Sequence, residues 1–255
     1  MPHSPHNFGF DWVDCLMPIG EGYTLLERAV YECAMAGCHT IWITVNDDWQ
    51  KLIKKRIGDY VEDPLYLNRV MDRWPSESKR RIYIYYVPEL ARYRTARYGD
   101  AWGIINSAIY ATRVAFGVGS YTVPSSYYAA FPMGLYEPEL VRQHRQDIKN
   151  ENKFYIEHDG NSIKTGHKMG FSFSYEDMRE INCELGKRRL TGNLSFTDVY
   201  NKLDFSGVDP TPAPWYNEIE SWPDYAEYMA SNNKLDKPDI FCKAPVANVV
   251  ELNDE

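Results

Sequence analysis

Residues 24–58 read TLLERAVYECAMAGCHTIWITVNDDWQKLIKKRIG, and this stretch decides the fold class. Thr24 followed by Glu27 is a capping box, a hydroxyl and a carboxylate satisfying each other's helix-start amides. Leu26, Ala29, Val30, Cys33 and Ala34 recur at helical spacing and form one apolar face. Gly37 ends the helix, because glycine takes the left-handed C-cap without a steric penalty. Residues 41–45 (IWITV) are a β-branched run of the kind that lies buried on both faces of a sheet. Asn46, Asp47 and Asp48 stop that strand and cap a second helix over 49–57, which Gly58 closes. Helix, strand and helix with short joints make half of a doubly wound α/β sheet.

The pattern recurs along the chain. Residues 81–87 (RIYIYYV) read as a strand, followed by a basic, tyrosine-bearing loop at 89–100 (ELARYRTARYGD). A helix over 101–116 places Ile105, Ala108, Ile109 and Thr112 on one side and closes at Gly117. Residues 127–131 form a strand broken at Pro132, and Pro138 opens a helix at its first turn. Asp159-Gly160 marks a hairpin within 154–163. A short strand at 171–173 precedes Ser174, the cap of a helix over 175–185, and 196–203 and 222–229 read as two more helices. The expected organisation is one α/β domain over 1–230, Rossmann-like, with a mixed, mostly parallel sheet, flanking helices and a C-terminal antiparallel section. Residues 231–255 are polar, proline-interrupted and acidic at the end, and read as an extended tail.

Of the 255 residues, 44% are hydrophobic and 25% charged, which excludes disordered and low-complexity classes. Basic residues number 28 against 36 acidic ones, a net charge of −8. That balance opposes binding to a nucleic-acid backbone, which needs a basic face, and leaves a local small-molecule phosphate site open. No window approaches the ~18–20 apolar residues of a membrane span, and the N-terminal stretch has no basic start followed by an apolar run. The reading is therefore cytoplasmic, without a membrane partner. Cysteines at 15, 33, 38, 183 and 242 form no CxxC; Cys33 and Cys38 are close, but Cys33 falls mid-helix, and reduced thiols are the plain interpretation. The six histidines show no zinc spacing.

Five segments, in order, resemble the sugar nucleotidyltransferases, enzymes of GT-A-like fold that join a nucleoside triphosphate to a sugar phosphate. Met17-Pro18-Ile19-Gly20 with Leu25-Leu26-Glu27-Arg28-Ala29-Val30 is similar to that family's first long helix and its approach. Ala36-Gly37-Cys38-His39-Thr40-Ile41 is similar to its lead into the next strand. Gly99-Asp100-Ala101 stands where the family has a Gly-Thr-Ala against the nucleobase. Met169-Gly170-Phe171-Ser172-Phe173-Ser174 resembles the strand lining the sugar pocket, and 215–225 (WYNEIESWPDY) resembles the segment closing the domain. A looser resemblance is to nucleotidyltransferase-like proteins carried by tailed phages. The departures fall in the catalytic elements. Phe8-Gly9-Phe10 contains no Gly-rich triphosphate loop, Gly22-Tyr23-Thr24 replaces a lysine-bearing segment, and 132–136 (PMGLY) holds no metal-binding aspartate.

Phosphoryl chemistry needs phosphate charge neutralised, usually by Mg²⁺ with Lys or Arg. Arg92, Arg94 and Arg97 lie just before Gly99, after a strand's carboxyl end, where doubly wound sheets bind ligands. They could clamp a di- or triphosphate bidentately, with Arg94 and Arg97 as the catalytic pair, or be a solvated loop. Gly99 and Asp100 are candidate floor for a nucleotide, with Tyr98 stacking on its base, and Gly170 is the candidate floor for the sugar. Asn46 and Asp47 are either helix-capping groups or polar contacts to nucleotide. Gly20 and Gly22 flank a turn before a helix N-terminus, where free amides attract anions, or simply form the turn. The resemblance aligns Glu218 and Glu220 with an acidic pair that reaches the metal, and strand alternation puts both on one face. Otherwise they are solvent residues of an edge strand.

Three functions follow. The first is a nucleotidyltransferase-like enzyme that binds a nucleotide or nucleotide sugar, with Mg²⁺ as cofactor. The second is an inactive descendant of that fold serving as a binding or structural protein, in an oligomer or with a protein partner. The third, a GT-A glycosyltransferase, needs an Asp-x-Asp after a central strand, and none is found.

Overall fold

The computed structural model describes residues 8, 13–67, 80–88, 99–119, 123–188, 200 and 203–241. Two short strands, β1 (Pro18–Gly20) and β2 (Tyr23–Thr24), pair antiparallel around a turn in which Gly22 takes φ +64°. Thr24 ends β2 and caps α1 (Leu25–Met35). Its hydroxyl accepts from the Glu27 amide at 3.3 Å, and the Glu27 carboxylate accepts from the Thr24 amide at 2.9 Å. Gly37, at φ +86°, closes the helix as the sequence predicts. Cys33 lies in the last turn of this helix, where the sequence had placed it mid-helix.

β3 (Thr40–Val45) leads directly to α2 (Asp47–Ile57), capped by the Asn46 carboxamide accepting from the Asp48 amide at 3.2 Å. β4 (Tyr60–Glu62) and α3 (Pro64–Leu67) follow, then β5 (Arg81–Pro88). β5 runs parallel to β3 from Thr40↔Tyr83 to Val45↔Pro88, and antiparallel to β4 on its other side. Ile82 and Ile84 share a core with Ile53 and Ile57 of α2 and with Leu26, Val30 and Ala34 of α1. The opposite face is more open than the sequence suggested: Trp42 stacks on Tyr85 at 4.4 Å, and Tyr83 and Tyr85 are 51% and 42% exposed. Alternation along β5 sends Ile82, Ile84 and Tyr86 to the core side and Tyr83 and Tyr85 to the other.

α4 (Gly99–Val118) precedes β6 (Ser126–Ala129) and β7 (Gly134–Leu135). Two short helices, α5 (Leu140–Gln143) and α6 (Arg145–Lys149), come next. The hairpin of β8 (Ile156–His158) and β9 (Asn161–Ser162) turns at Asp159 (φ +49°) and Gly160 (φ +78°), as read from the Asp-Gly pair. β10 (Phe171–Ser174), α7 (Tyr175–Arg188), β11 (Thr211–Pro212), β12 (Asn217–Glu218) and α8 (Trp222–Ala230) complete the order. β10 pairs antiparallel with β6, β12 antiparallel with β7, and β11 parallel with β8. The mixed α/β architecture with flanking helices is the one expected. Residues 231–241 are placed against the domain: Ile240 is buried, its carbonyl accepts from the Glu62 amide at 2.9 Å, and Phe241 bridges to Val61. Most of the predicted helix over 196–203 lies outside the described residues. No helix among the described residues is long and apolar enough to cross a membrane.

Ser174 caps α7 reciprocally with Asp177, whose carboxylate accepts from the Ser174 amide (2.9 Å), the Ser174 hydroxyl (2.8 Å) and Lys153 (2.9 Å). Burial opposes charge at Asp177, but these donors outweigh it and hold its carboxyl below the ordinary 3.8. A carboxyl depressed in the folded state adds stability above its unfolded pKa, and that stability is lost as pH falls through the folded one. Asp177→Asn should therefore cost about 1–2 kcal/mol at neutral pH. In urea titrations the wild-type and variant stabilities should converge as pH falls below 3.8; a gap unchanged in acid would contradict the assignment.

Candidate functional site

α4 sets the geometry. Near its start, the Gly103 carbonyl accepts from the Thr44 hydroxyl at 2.8 Å, and the Ser107 hydroxyl lies 2.5 Å from the Thr44 hydroxyl, close to the carboxyl end of β3. Further along, the Thr112 hydroxyl lies 2.6 Å from that of Tyr127, near the beginning of β6. Ile105 shares a core with Ala129 and Phe131 at the other end of β6. The N-terminus of α4 and the carboxyl ends of β3 and β6 therefore meet at one edge, the edge at which doubly wound sheets bind ligands.

Asn46, Asp47, Gly99 and Asp100 belong to this edge. The Asn46 side chain is engaged as the α2 cap, while Asp47 is exposed in the first turn. Gly99 and Asp100 form the first residues of α4. Arg92, Arg94, Arg97 and Tyr98 lie outside the described residues.

Beyond β6, the antiparallel pair of β7 and β12 carries a polar cluster. Glu218, opposite Gly134, accepts from the Tyr216 hydroxyl at 2.8 Å and lies 2.9 Å from His167 Nδ1. Lys168 Nζ lies 3.6 Å from Glu218 and donates to Glu220 at 2.8 Å. Burial, reinforced by Glu218, pushes the Tyr216 phenol up, so it stays protonated as a donor. The strand ends at Glu218, so alternation does not extend to Glu220; both carboxylates lie near one cation, and it is an ammonium. With Lys168 in that position the donor set does not fit a resident divalent ion. Among the described residues no group of three or more His, Cys, Asp or Glu could hold a metal. His167, Lys168 and Tyr216 were not singled out from the sequence; a lysine two residues before Gly170 was the available signal.

The remaining candidate glycines have different surroundings. A Cβ on Gly20 would stand 2.9 Å from the Leu235 carbonyl. The Gly22 carbonyl accepts from Arg56 and, at 2.9 Å, from Lys237. The anion at this helix start is the chain's own: Glu27 caps α1 and pairs with Arg56 (2.8 Å) and Lys237 (2.6 Å). Gly170 is buried, and its amide donates to the Tyr136 hydroxyl at 2.9 Å.

Beneath the edge lies a fully buried ion pair. Arg28 donates to Glu32 and to the carbonyls of Gly134 and Phe131, and its guanidinium sits 4.6 Å from the Tyr136 ring centre. Glu32 also accepts from the hydroxyls of Tyr128 (2.5 Å) and Tyr136. Burial, then the Glu32 charge, pushes both phenols up. This network ties 131–136 to α1, so the segment following β6 is held from below.

Among solved structures the fold is similar to a protein described as a glucose-1-phosphate thymidylyltransferase from Bacillus anthracis in complex with sucrose. The TM-score is 0.59, with 11% identity over 88% of this chain and 87% of that one. A UDP-glucose pyrophosphorylase complexed with UDP-glucose matches with a TM-score of 0.50 and 11% identity, over 85% and 88% of the two chains. No protein-family model and no curated protein matches the sequence. The chain shares the fold of the sugar nucleotidyltransferases.

Proposed function

We propose that the chain binds a nucleotide or nucleotide sugar at the carboxyl edge of its sheet, as a protein of nucleotidyltransferase type. The observation that carries this reading is the meeting of the α4 N-terminus with the ends of β3 and β6, in a fold shared with enzymes of that class. In this reading the nucleobase lies against Gly99 and Asp100, and Arg92, Arg94 and Arg97 neutralise the phosphates. Lys168, poised between two carboxylates, reaches the sugar-phosphate side. In a full reaction a phosphate oxygen of the sugar phosphate attacks the α-phosphorus of a nucleoside triphosphate. The new P–O bond forms as the bond to the β-phosphate oxygen breaks, and pyrophosphate leaves. Arginines are suited to holding that leaving group by charge-assisted, bidentate bonds.

A second reading, binding without turnover, is favoured by one observation: the carboxylates expected to take Mg²⁺ are neutralised by Lys168. Thermal-shift titration with nucleoside triphosphates and nucleotide sugars, with and without Mg²⁺, tests binding. A ligand at 100 times its Kd adds ~2.7 kcal/mol, an easily visible shift. The shift should be selective, lost in Arg94→Ala with Arg97→Ala, and weakened in Lys168→Ala. Pyrophosphate release then separates transfer from binding alone. Absence of any shift across the panel, or a shift indifferent to all three substitutions, would overturn the site.

A further inference from the structure

At the far end of α1 the chain turns into β3 through a geometry that brings two sulfurs together. Gly37 is left-handed, its amide donates to the Ala34 carbonyl at 3.1 Å, and the Cys38 amide donates to the Cys33 carbonyl at 3.3 Å. Those two bonds define a Schellman turn, in which the side chains at the positions of Cys33 and Cys38 are the ones that meet. Apolar residues commonly make that contact; here both are cysteines, and their thiols hydrogen-bond to one another. Both are free and partly buried, packed against the core under α1. The Arg145 side chain lies directly across Gly37.

We propose that Cys33 and Cys38 form a redox modification site, in which an oxidised low-molecular-weight disulfide such as glutathione disulfide converts the two thiols into an intramolecular disulfide across the end of α1. The Cys38 thiolate attacks one sulfur of glutathione disulfide, its proton having gone to solvent, and one glutathione thiolate leaves. Cys33, deprotonated in turn, attacks the Cys38 sulfur and expels the second glutathione. The two cysteines lose two electrons and two protons, and one glutathione disulfide becomes two glutathiones. The environment selects Cys38 as first nucleophile. The hydrogen bond from Cys33 lowers its pKa; burial opposes this, and Arg145 adds to the lowering. Cys33 is pushed up, first by that hydrogen bond and then by burial. The pair lies at the amino end of β3, opposite the proposed ligand edge, so the inference stands apart from that reading.

The test is mass spectrometry of the whole native protein after incubation with glutathione disulfide. Tryptic peptide 29–51 contains both cysteines and no other. It should become lighter by two hydrogens, refuse iodoacetamide, and regain both reactions after dithiothreitol. Cys33→Ser should trap glutathione on Cys38, whereas Cys38→Ser should leave Cys33 unmodified over the same interval. A wild-type peptide that keeps both thiols while a control dithiol oxidises would overturn the proposal. Persistent glutathione on wild-type Cys38 would do the same, because it would show that the sulfurs do not reach one another.

Discussion

Arg28→Met is expected to lower folding stability by about 3–5 kcal/mol, the range for removing one partner of a buried ion pair. Arg28 and Glu32 are both 0% exposed in their side chains. Without the guanidinium, Glu32 is a buried charge left, among the described residues, with the hydroxyls of Tyr128 and Tyr136, and the carbonyls of Gly134 and Phe131 lose this donor. Glu27, another buried carboxylate on the same helix, provides the contrast. Its partners Arg56 and Lys237 are 38% and 31% exposed, so solvent screens those pairs and either cation alone can go with a small loss. Replacing both members, as Arg28→Met with Glu32→Leu, should recover part of the loss: no buried charge remains, while the Tyr128 and Tyr136 hydroxyls and the Gly134 and Phe131 carbonyls still lose these partners. The check is a urea-unfolding double-mutant cycle, read from midpoints at constant slope. Additive effects of the two single substitutions would show that the pair is not coupled and the network is not formed.

What the sequence made legible is what is local. The Thr24–Glu27 cap, the Gly37 turn, the strand after it, the Asp159-Gly160 hairpin and the Ser174 cap are each set by residues within a few positions, and all five are present. Arg28 and Glu32 were not legible as core. Their i, i+4 spacing is that of an ordinary helix-surface pair, and what buries them, Tyr128, Phe131, Gly134 and Tyr136, stands about a hundred positions away. The site divides in the same way. Glu218 and Glu220 were visible as an acidic pair, whereas the ammonium near both comes from Lys168, some fifty residues earlier. Cys33 and Cys38 show a subtler limit. Their proximity was visible and so was the Gly37 helix end, but not that the turn closing there makes the positions of Cys33 and Cys38 face one another.

Gly170→Ala should destabilise the ligand-free protein by about 3 kcal/mol, the upper part of the usual range for overpacking a core. Its backbone is not in the left-handed region, so the argument is steric. A Cβ there would strike the hydroxyls of Tyr128 and Tyr136 and stand 2.5 Å from Glu32 Oε1. None of these oxygens can withdraw without breaking the bonds that satisfy the buried carboxylate. Nor can Gly170 move away easily, because its amide donates to Tyr136 (2.9 Å) and its carbonyl accepts from the Ile156 amide (3.1 Å). Gly117, on α4, is the control: a Cβ there meets nothing within 4 Å, and alanine in a helix is favoured by up to about 1 kcal/mol. Gly117→Ala should therefore be neutral or mildly stabilising in the urea titration that exposes the Gly170 defect. The pair of variants also separates two roles for Gly170. A floor for a sugar requires that Gly170→Ala leave the free protein intact and weaken nucleotide-sugar binding. Close packing over the Glu32 network requires the loss to appear before any ligand is added, and the geometry favours this second outcome.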